Sequence, residues 1–321
     1  METSFDRMMT SFPPSSAFQL KKYVLSHYSN GFLPRLKGIL EARRHSSDIN
    51  HVTGDVHYVT LGLPGKRTVL TIHDCGLMNH SNPLARLVLK WVWLDWPVRH
   101  CRYVTAVSEA TKNDIIRYTG CSPEKVVVIP TVIGDTFRPS EKTFNEHCPR
   151  ILHIGLAPNK NFERHISAIA GLDCQLHVIG ELDSQCMRIL AHNRIKYTSE
   201  YNISVDDMQR AYAESDILLF ASTLEGFGMP ILEAQSVGRP VITSNLSSMP
   251  EVAGDGACLV DPYSVQDIRD GVMRVIQDRS YRETLISRGF LNVKRFCSET
   301  VARQYEDLYS RIIGADSRRS V

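Results

Sequence analysis

Short, unbroken apolar runs alternate with helical patterns twice along this chain, and that alternation constrains its fold more than any other feature. The first series reads TVLTIHD from Thr68, a helical stretch from Pro83 to Val98, YVTAVS, the helix-like EATKNDIIRYTG, and VVVIP. Strands without polar alternation are buried on both faces, and the helices between them supply the crossovers of a parallel sheet. Pro130, Pro139 and Pro149 then bracket a polar stretch from Ser140 to Cys148, which reads as a linker. The second series reads RILHIG, a helix from Asn161 to Ala170, QLHVIG, a helix around Asp206 to Glu214, DILLFAS, a helix from Pro230, and RPVITS. From Tyr281 to Ile313, apolar residues recur at helical spacing, among them Leu285, Phe290, Val301, Tyr305, Leu308 and Ile312. The chain is expected to be α/β, with two Rossmann-like domains at 1–140 and 146–296 facing across a cleft. The final segment, 297–321, is expected to return to the first domain.

A chain of 321 residues accommodates two such domains, and 43% hydrophobic with 22% charged residues excludes a disordered one. The formal charge of +2 hides an asymmetry: residues 1–140 hold 17 Lys and Arg against 11 Asp and Glu, and the remainder 20 against 24. A basic half suits an anionic membrane surface or a phosphorylated acceptor, and equally an ordinary solvated surface. No nucleic-acid partner is expected. Residues 87–98, LVLKWVWLDWPV, carry all three tryptophans, and a packed helix is preferred here to a membrane-facing one. Lys90 and Asp95 interrupt this run too early for a membrane span. The eight cysteines are scattered without a CxxC pair, which suggests reduced thiols. With no apolar run in Met1–Asn30 to act as a signal peptide, a cytoplasmic protein is expected, with peripheral association at the inner face of the membrane.

The chemistry concentrates after DILLFAS, where Thr-Leu-Glu-Gly-Phe-Gly-Met-Pro precedes the helical ILEAQSVG. A turn from strand to helix is where an open α/β sheet binds ligands. Gly226 and Gly228 let the backbone approach a diphosphate, and Pro230 suits a first helical turn whose free amides attract an anion. Glu225 and Glu233 flank that turn as carboxylate acceptors suited to hydroxyls. Two glutamates eight residues apart and a glycine-containing loop are common in any sequence, so the full string matters more than the spacing. That string, EGFGMPILEAQSVGRPVI, resembles the donor-binding signature of glycosyltransferase family 4, retaining enzymes with the GT-B fold. The resemblance extends through SNLSSMPEVAGDGACLVDP, HIGLAPNKNFERHISAI and HVTGDVHYVTLGLPGKRTVLTIHD, roughly residues 50–296.

What the resemblance implies can be stated residue by residue. Glu225 would bind donor-sugar hydroxyls, Gly226, Phe227, Gly228 and Met229 would approach the diphosphate, and Glu233 would bind the ribose. Gly155, Asn159 and Lys160 belong to the donor side, with Lys160 the basic phosphate ligand; family members often carry arginine where this chain has Asn159. A cation is needed there because the leaving nucleoside diphosphate gains negative charge. His73, at the end of TVLTIHD, would contact the transferred sugar, so His73, Lys160 and Glu225 form the expected catalytic set. His51, Gly54, His57 and Asp74 are placed on the acceptor side, Gly54 permitting a tight backbone. Ser108 reads as a helix N-cap.

No Asp-x-Asp is present, so no metal and no cofactor is expected beyond the donor itself, a UDP-sugar or a GDP-sugar. The implied reaction is hexosyl transfer with retention onto a glycan or lipid-linked glycan of cell-surface polysaccharide synthesis. The sequence departs from the family at its beginning, where Met1-Glu-Thr-Ser-Phe-Asp-Arg resembles a first helix without the strand and Gly-rich loop expected before it. The first domain is therefore expected to lack its first strand. Two other readings stay open, a non-catalytic donor-binding subunit that needs a partner subunit, and a nucleotide-sugar epimerase of GT-B architecture.

Overall fold

The computed structural model describes residues 2–26, 31–79 and 81–317. It divides into two compact units, Met1–Val132 with Ser298–Val321, and Ile133–Cys297. The first unit runs α1 (Glu2–Thr10), α2 (Phe32–Arg44), β1 (Asn50–Val52), β2 (Thr68–Ile72), then α3 (Pro83–Leu89). That helix continues through a π-helical stretch, Lys90–Asp95, into α4 (Trp96–His100). The chain goes on through β3 (Tyr103–Ala106), α5 (Glu109–Thr119) and β4 (Val126–Val128). The four strands are parallel and lie in chain order, β1-β2-β3-β4. Every residue of β2 is buried, as its unbroken apolar run requires. Ser108 caps α5 by accepting from the Thr111 amide at 3.1 Å, and Gly120 ends it in the left-handed conformation, φ 65°.

The second unit runs β5 (Arg150–Ile154), α6 (Phe162–Ile169), β6 (Gln175–Ile179), α7 (Ser184–His192), β7 (Tyr197–Glu200), α8 (Val205–Glu214) and β8 (Ile217–Phe220). It continues through α9 (Met229–Val237), β9 (Val241–Ser244), α10 (Met249–Ala253), β10 (Ala257–Val260), α11 (Val265–Gln277) and α12 (Arg279–Val293). Its six strands are all parallel, in the order β10-β9-β8-β5-β6-β7. The order changes direction between β5 and β8. The crossovers that leave these two strands run to opposite sides, so the loops after them open a crevice at their carboxyl ends.

The chain closes with α13 (Ser298–Ser317), which belongs to the first unit. Val301, Tyr305, Leu308 and Ile312, spaced by three and four, bury one helix face against Met8, Val69, Ile129 and Val132. The expected extent of this segment from residue 318 onward lies outside the described residues.

Two features differ from what the sequence pattern suggests. The boundary between units falls at Val132/Ile133 rather than near residue 140, because the polar stretch is tied down on the second unit. The buried carboxylate of Asp216 holds it, accepting from the Lys142 ammonium, from the Asn145 amide at 3.1 Å and from the Arg150 amide at 2.8 Å. The tryptophan segment is not simply packed. Trp93, Leu94 and Val98 are buried, but Leu84, Leu87, Val88, Trp91 and Trp96 are exposed.

Candidate functional site

The β5 and β8 loops meet because their strands are neighbours in the sheet. After β5 the chain turns at Gly155, whose φ of 82° suits glycine, and forms a short 3-10 turn, Pro158–Lys160. Glycine is also needed for space, since a β-carbon there would lie 3.2 Å from the Lys160 stem. Gly155 therefore serves the site by making room for Lys160. Asn161 follows in the left-handed conformation, and its Nδ2 donates to the Ala221 carbonyl at 3.0 Å and the Pro262 carbonyl at 2.7 Å. That buried amide fixes the two loops to each other, as does the Thr223 amide donating to the Asn159 carbonyl at 2.8 Å.

At this junction the Lys160 ammonium donates to Glu225 Oε1 at 2.7 Å and lies 4.8 Å from the centroid of the Phe220 ring. Asn159 Nδ2 donates to the Leu224 carbonyl at 2.8 Å and approaches Glu225 Oε1 at 3.5 Å. Asn159, where an arginine was the alternative, is thus a strut within the site, and Lys160 carries the positive charge of this junction. The Lys160 and Glu225 side chains are 21% and 13% exposed, so the pair is half-sheltered yet open to a ligand.

The loop that carries Glu225 is fastened by its carbonyls. Ser247 donates to the Glu225 carbonyl at 2.6 Å, while Ser248 donates to that carbonyl at 3.0 Å and to the Phe227 carbonyl at 2.8 Å. The Phe227 ring is buried edge-on against Phe296, 5.7 Å between centroids, so only its backbone can serve a donor. Gly228, at φ 105°, enters α9, with Met229 and Pro230 in the first turn and no side-chain cap. Pro230 has no amide hydrogen and the Ile231 amide donates to the Gly228 carbonyl at 3.0 Å, so the start of the helix offers an anion chiefly the positive end of its dipole. One turn on, Glu233 accepts from the Tyr212 hydroxyl at 2.7 Å. Burial first, and the Glu233 charge second, raise the Tyr212 pKa well above its ordinary value, so the hydroxyl stays a donor and fixes the carboxylate. Tyr212→Phe is expected to keep the fold and raise the donor KM about tenfold, the lower end of the value of one hydrogen bond to a charged group; an unchanged KM would show that the Tyr212 bond does not hold Glu233 for the donor.

His73 is in the first unit, just beyond β2. Its Nε2 lies 2.9 Å from the Thr53 carbonyl, which fixes the proton on Nε2 and turns Nδ1 into an acceptor. Burial lowers its pKa, so the ring is neutral. It lines a small apolar cavity with Phe5, Met8, Val107, Val132 and Tyr305.

The four residues expected on the acceptor side all lie in the first unit. His51 is a core residue whose Nδ1 pairs with the Tyr309 hydroxyl and Nε2 with the Thr71 hydroxyl, each at 2.7 Å. His57 is buried with Nδ1 2.6 Å from the Trp93 carbonyl. Gly54 has no tight neighbour, since a β-carbon there would meet only Val56 at 3.8 Å. Asp74 is exposed and accepts from the Gly76 amide at 2.7 Å, closing a turn. Burial holds the His51 pKa down at about 3 and that of His153, in the second unit, at about 4. Below pH 6.5 the unfolded chain takes up protons that these native rings refuse, so stability falls as pH falls from 6.5 toward those values. Each ring contributes about 1.4 kcal/mol per pH unit, so urea midpoints measured at pH 7 and pH 5 should drop together for both units.

Sequence reasoning missed Tyr212, Ser247, Ser248 and Asn161. Asn161, Ser247 and Ser248 lie inside the matching strings PNKNFERH and SNLSSMPEV, but nothing in a string says which carbonyls a side chain will reach; Tyr212 lies outside all of them.

Residues 136–291 match the family model described as Glycosyl transferases group 1, and residues 14–136 match Glycosyltransferase Family 4. The chain is 39% identical over 269 residues to an O-antigen chain mannosyltransferase B of Escherichia coli, covering 76% of this chain and 70% of that one. It is 25% identical over 237 residues to a serotype-specific mannosyltransferase WbdA of Escherichia coli, 65% of this chain but 29% of that much longer one. A solved HepE structure from Anabaena, in complex with UDP and glucose, superposes with a TM-score of 0.73 at 17% identity, over 87% of this chain and 81% of that one. The fold is GT-B, and the chain belongs to glycosyltransferase family 4.

Proposed function

We propose that this glycosyltransferase moves a mannosyl residue from GDP-mannose to a glycan or lipid-linked glycan of the cell surface, with retention of configuration and without a metal ion. The observation that carries the reading is the Lys160–Glu225 pair at the joined ends of β5 and β8, beside the uncapped start of α9. One cation and the positive end of a helix suit the two charged phosphates, and the carboxylates Glu225 and Glu233 suit the neutral hydroxyls of sugar and ribose. The mannosyl group is supported by the names of the two relatives, both mannosyltransferases.

In the proposed reaction the bond between the anomeric carbon and the diphosphate oxygen breaks as the acceptor oxygen attacks from the same face. The acceptor proton passes to the departing phosphate oxygen, so no protein base is needed. Lys160 and the positive end of the α9 dipole take up the charge that develops on the leaving group. Glu225 positions the sugar, and His73 keeps the role on the transferred sugar that the family resemblance implies for it.

The test is nucleoside diphosphate release from a panel of UDP- and GDP-sugars with EDTA present, for the wild type, Lys160→Ala and Glu225→Ala. Release from GDP-mannose alone that both substitutions abolish supports the reading. Release that requires an added divalent ion, or that comes from UDP-sugars only, overturns it.

A further inference from the structure

We propose that the outward faces of α2 and of the α3–α4 segment form one surface that docks on an anionic lipid bilayer. Both elements are turned the wrong way round for a soluble domain. In α2 the buried residues are the small Gly38 and Ala42, which let the helix lie close to Tyr58, whereas Phe32, Leu33, Leu36 and Leu40 point outward. Phe32 is 78% exposed. In α3 no residue is buried, and Leu84, Leu87, Val88 and Trp91, spaced by three, four and seven, make a single exposed face. Isolated exposed apolar residues are ordinary, but a contiguous face of this kind marks an interaction site.

The two elements are neighbours. The Arg35 guanidinium of α2 lies 4.7 Å above the ring of Trp93, in the π-helical stretch that follows α3, and both elements pack on the turn His57–Gly62. Charge identifies the occupant. Arg35, Lys37, Arg43 and Arg44 against Glu41 in α2, with Arg86, Lys90 and Arg99 against Asp95 in 83–100, supply five of the six net positive charges of residues 1–140. The two acids are already engaged, Asp95 with the Lys90 ammonium at 2.6 Å and Glu41 with the Ser26 amide at 3.1 Å. Aliphatic side chains with Trp91 and Trp96 in edge contact, rimmed by Lys and Arg, are the composition of a helix that lies in the interfacial layer of a membrane. A protein interface core, by contrast, is depleted in lysine and other charged residues. Among the described residues no helix is long and apolar enough to cross a membrane, so the contact is with the surface layer.

This inference is independent of the donor chemistry, because every residue in it belongs to the first unit and the donor-side residues belong to the second. The full chain is floated with phosphatidylcholine vesicles and with vesicles containing about a third phosphatidylglycerol. Variants are Leu36→Ser with Leu40→Ser, Leu87→Ser with Trp91→Ser, and Lys37→Gln with Arg43→Gln and Arg44→Gln. All lie on exposed positions, and an unchanged thermal midpoint confirms that each variant folds. The wild type is expected to float with the phosphatidylglycerol vesicles and to be released by raised salt. Each variant should bind on the order of tenfold or more weakly. Nucleoside diphosphate release, followed in parallel, should be unchanged. Failure to bind either vesicle overturns the proposal, and equal binding to both overturns its anionic part. Self-association in sedimentation that the serine variants abolish would show that the surface joins two copies of the chain instead.

Discussion

Lys160→Ala is expected to slow donor turnover by about 10²–10³-fold, the loss that follows removal of one positioned charge-stabilising donor. The lysine is held from three sides: Glu225 at 2.7 Å, the Phe220 ring at 4.8 Å, and a glycine at 155 that leaves space for its stem. Such a side chain needs no reorganisation when the diphosphate departs, which is where electrostatic stabilisation acts most strongly. Asn159 cannot substitute for it, because its amide is spent on the Leu224 carbonyl and carries no charge. Loss of a pair this accessible should cost only about 1 kcal/mol of stability, so the variant folds and the loss is read in kcat at saturating donor. A fall of less than about threefold would reduce Lys160 to a structural partner of Glu225. Glu225→Gln, alone and combined with Lys160→Ala, completes the cycle. The double variant should be no worse than the poorer single one if the two act as a unit.

The second large effect concerns folding. Arg239→Ala is expected to destabilise the second unit by about 3–4 kcal/mol, because it removes a buried cation together with several charged hydrogen bonds. Arg239 is 6% exposed, and its guanidinium donates to the carbonyls of Tyr212 at 3.1 Å, Ala213 at 2.9 Å and Ser140 at 2.9 Å. Those carbonyls end α8 and fasten the stretch that opens the unit; the Tyr212 carbonyl keeps the Ser215 amide at 3.1 Å, but an alanine loses the link between α8 and the Ser140 carbonyl. At about 2–4 °C per kcal/mol for a unit of this size, the unfolding midpoint should fall by roughly 10 °C. Calorimetry of the intact chain would show it as a shift of one transition. A shift below about 2 °C would mean that water replaces the guanidinium without loss. Arg239→Lys should recover little, since one ammonium cannot reach carbonyls in different directions.

Most of the framework was legible because its strands are buried on both faces. TVLTI, RILHI and ILLF are unbroken apolar runs, and a linear pattern reports such burial directly. What stayed hidden has the opposite property. β7, Tyr197–Glu200, is an exposed polar edge strand with no apolar run to announce it. α2 carries its apolar residues on the solvent side, so its pattern misstates which face is buried. In the site, the Glu225–Glu233 string was recognisable as a segment, but Tyr212, Ser247 and Ser248 act by contacts 21 to 23 residues away from their partners. Residue type does not say that His51 has both ring nitrogens paired inside the unit, or that His57 sets Nδ1 against the Trp93 carbonyl.

The return of α13 to the first unit governs how the protein is made. Residues 1–132 leave the ribosome without the helix that covers Val69, Ile129 and Val132 and supplies the Tyr309 hydroxyl to His51. Residues 133–297 must be synthesised before that helix exists, an interval of about 10–30 s at ordinary elongation rates. The second unit is continuous in sequence and can close during synthesis. The first must wait with an apolar strip uncovered, and so is the half that chaperones would be expected to hold and that a stalled or shortened message would leave sticky.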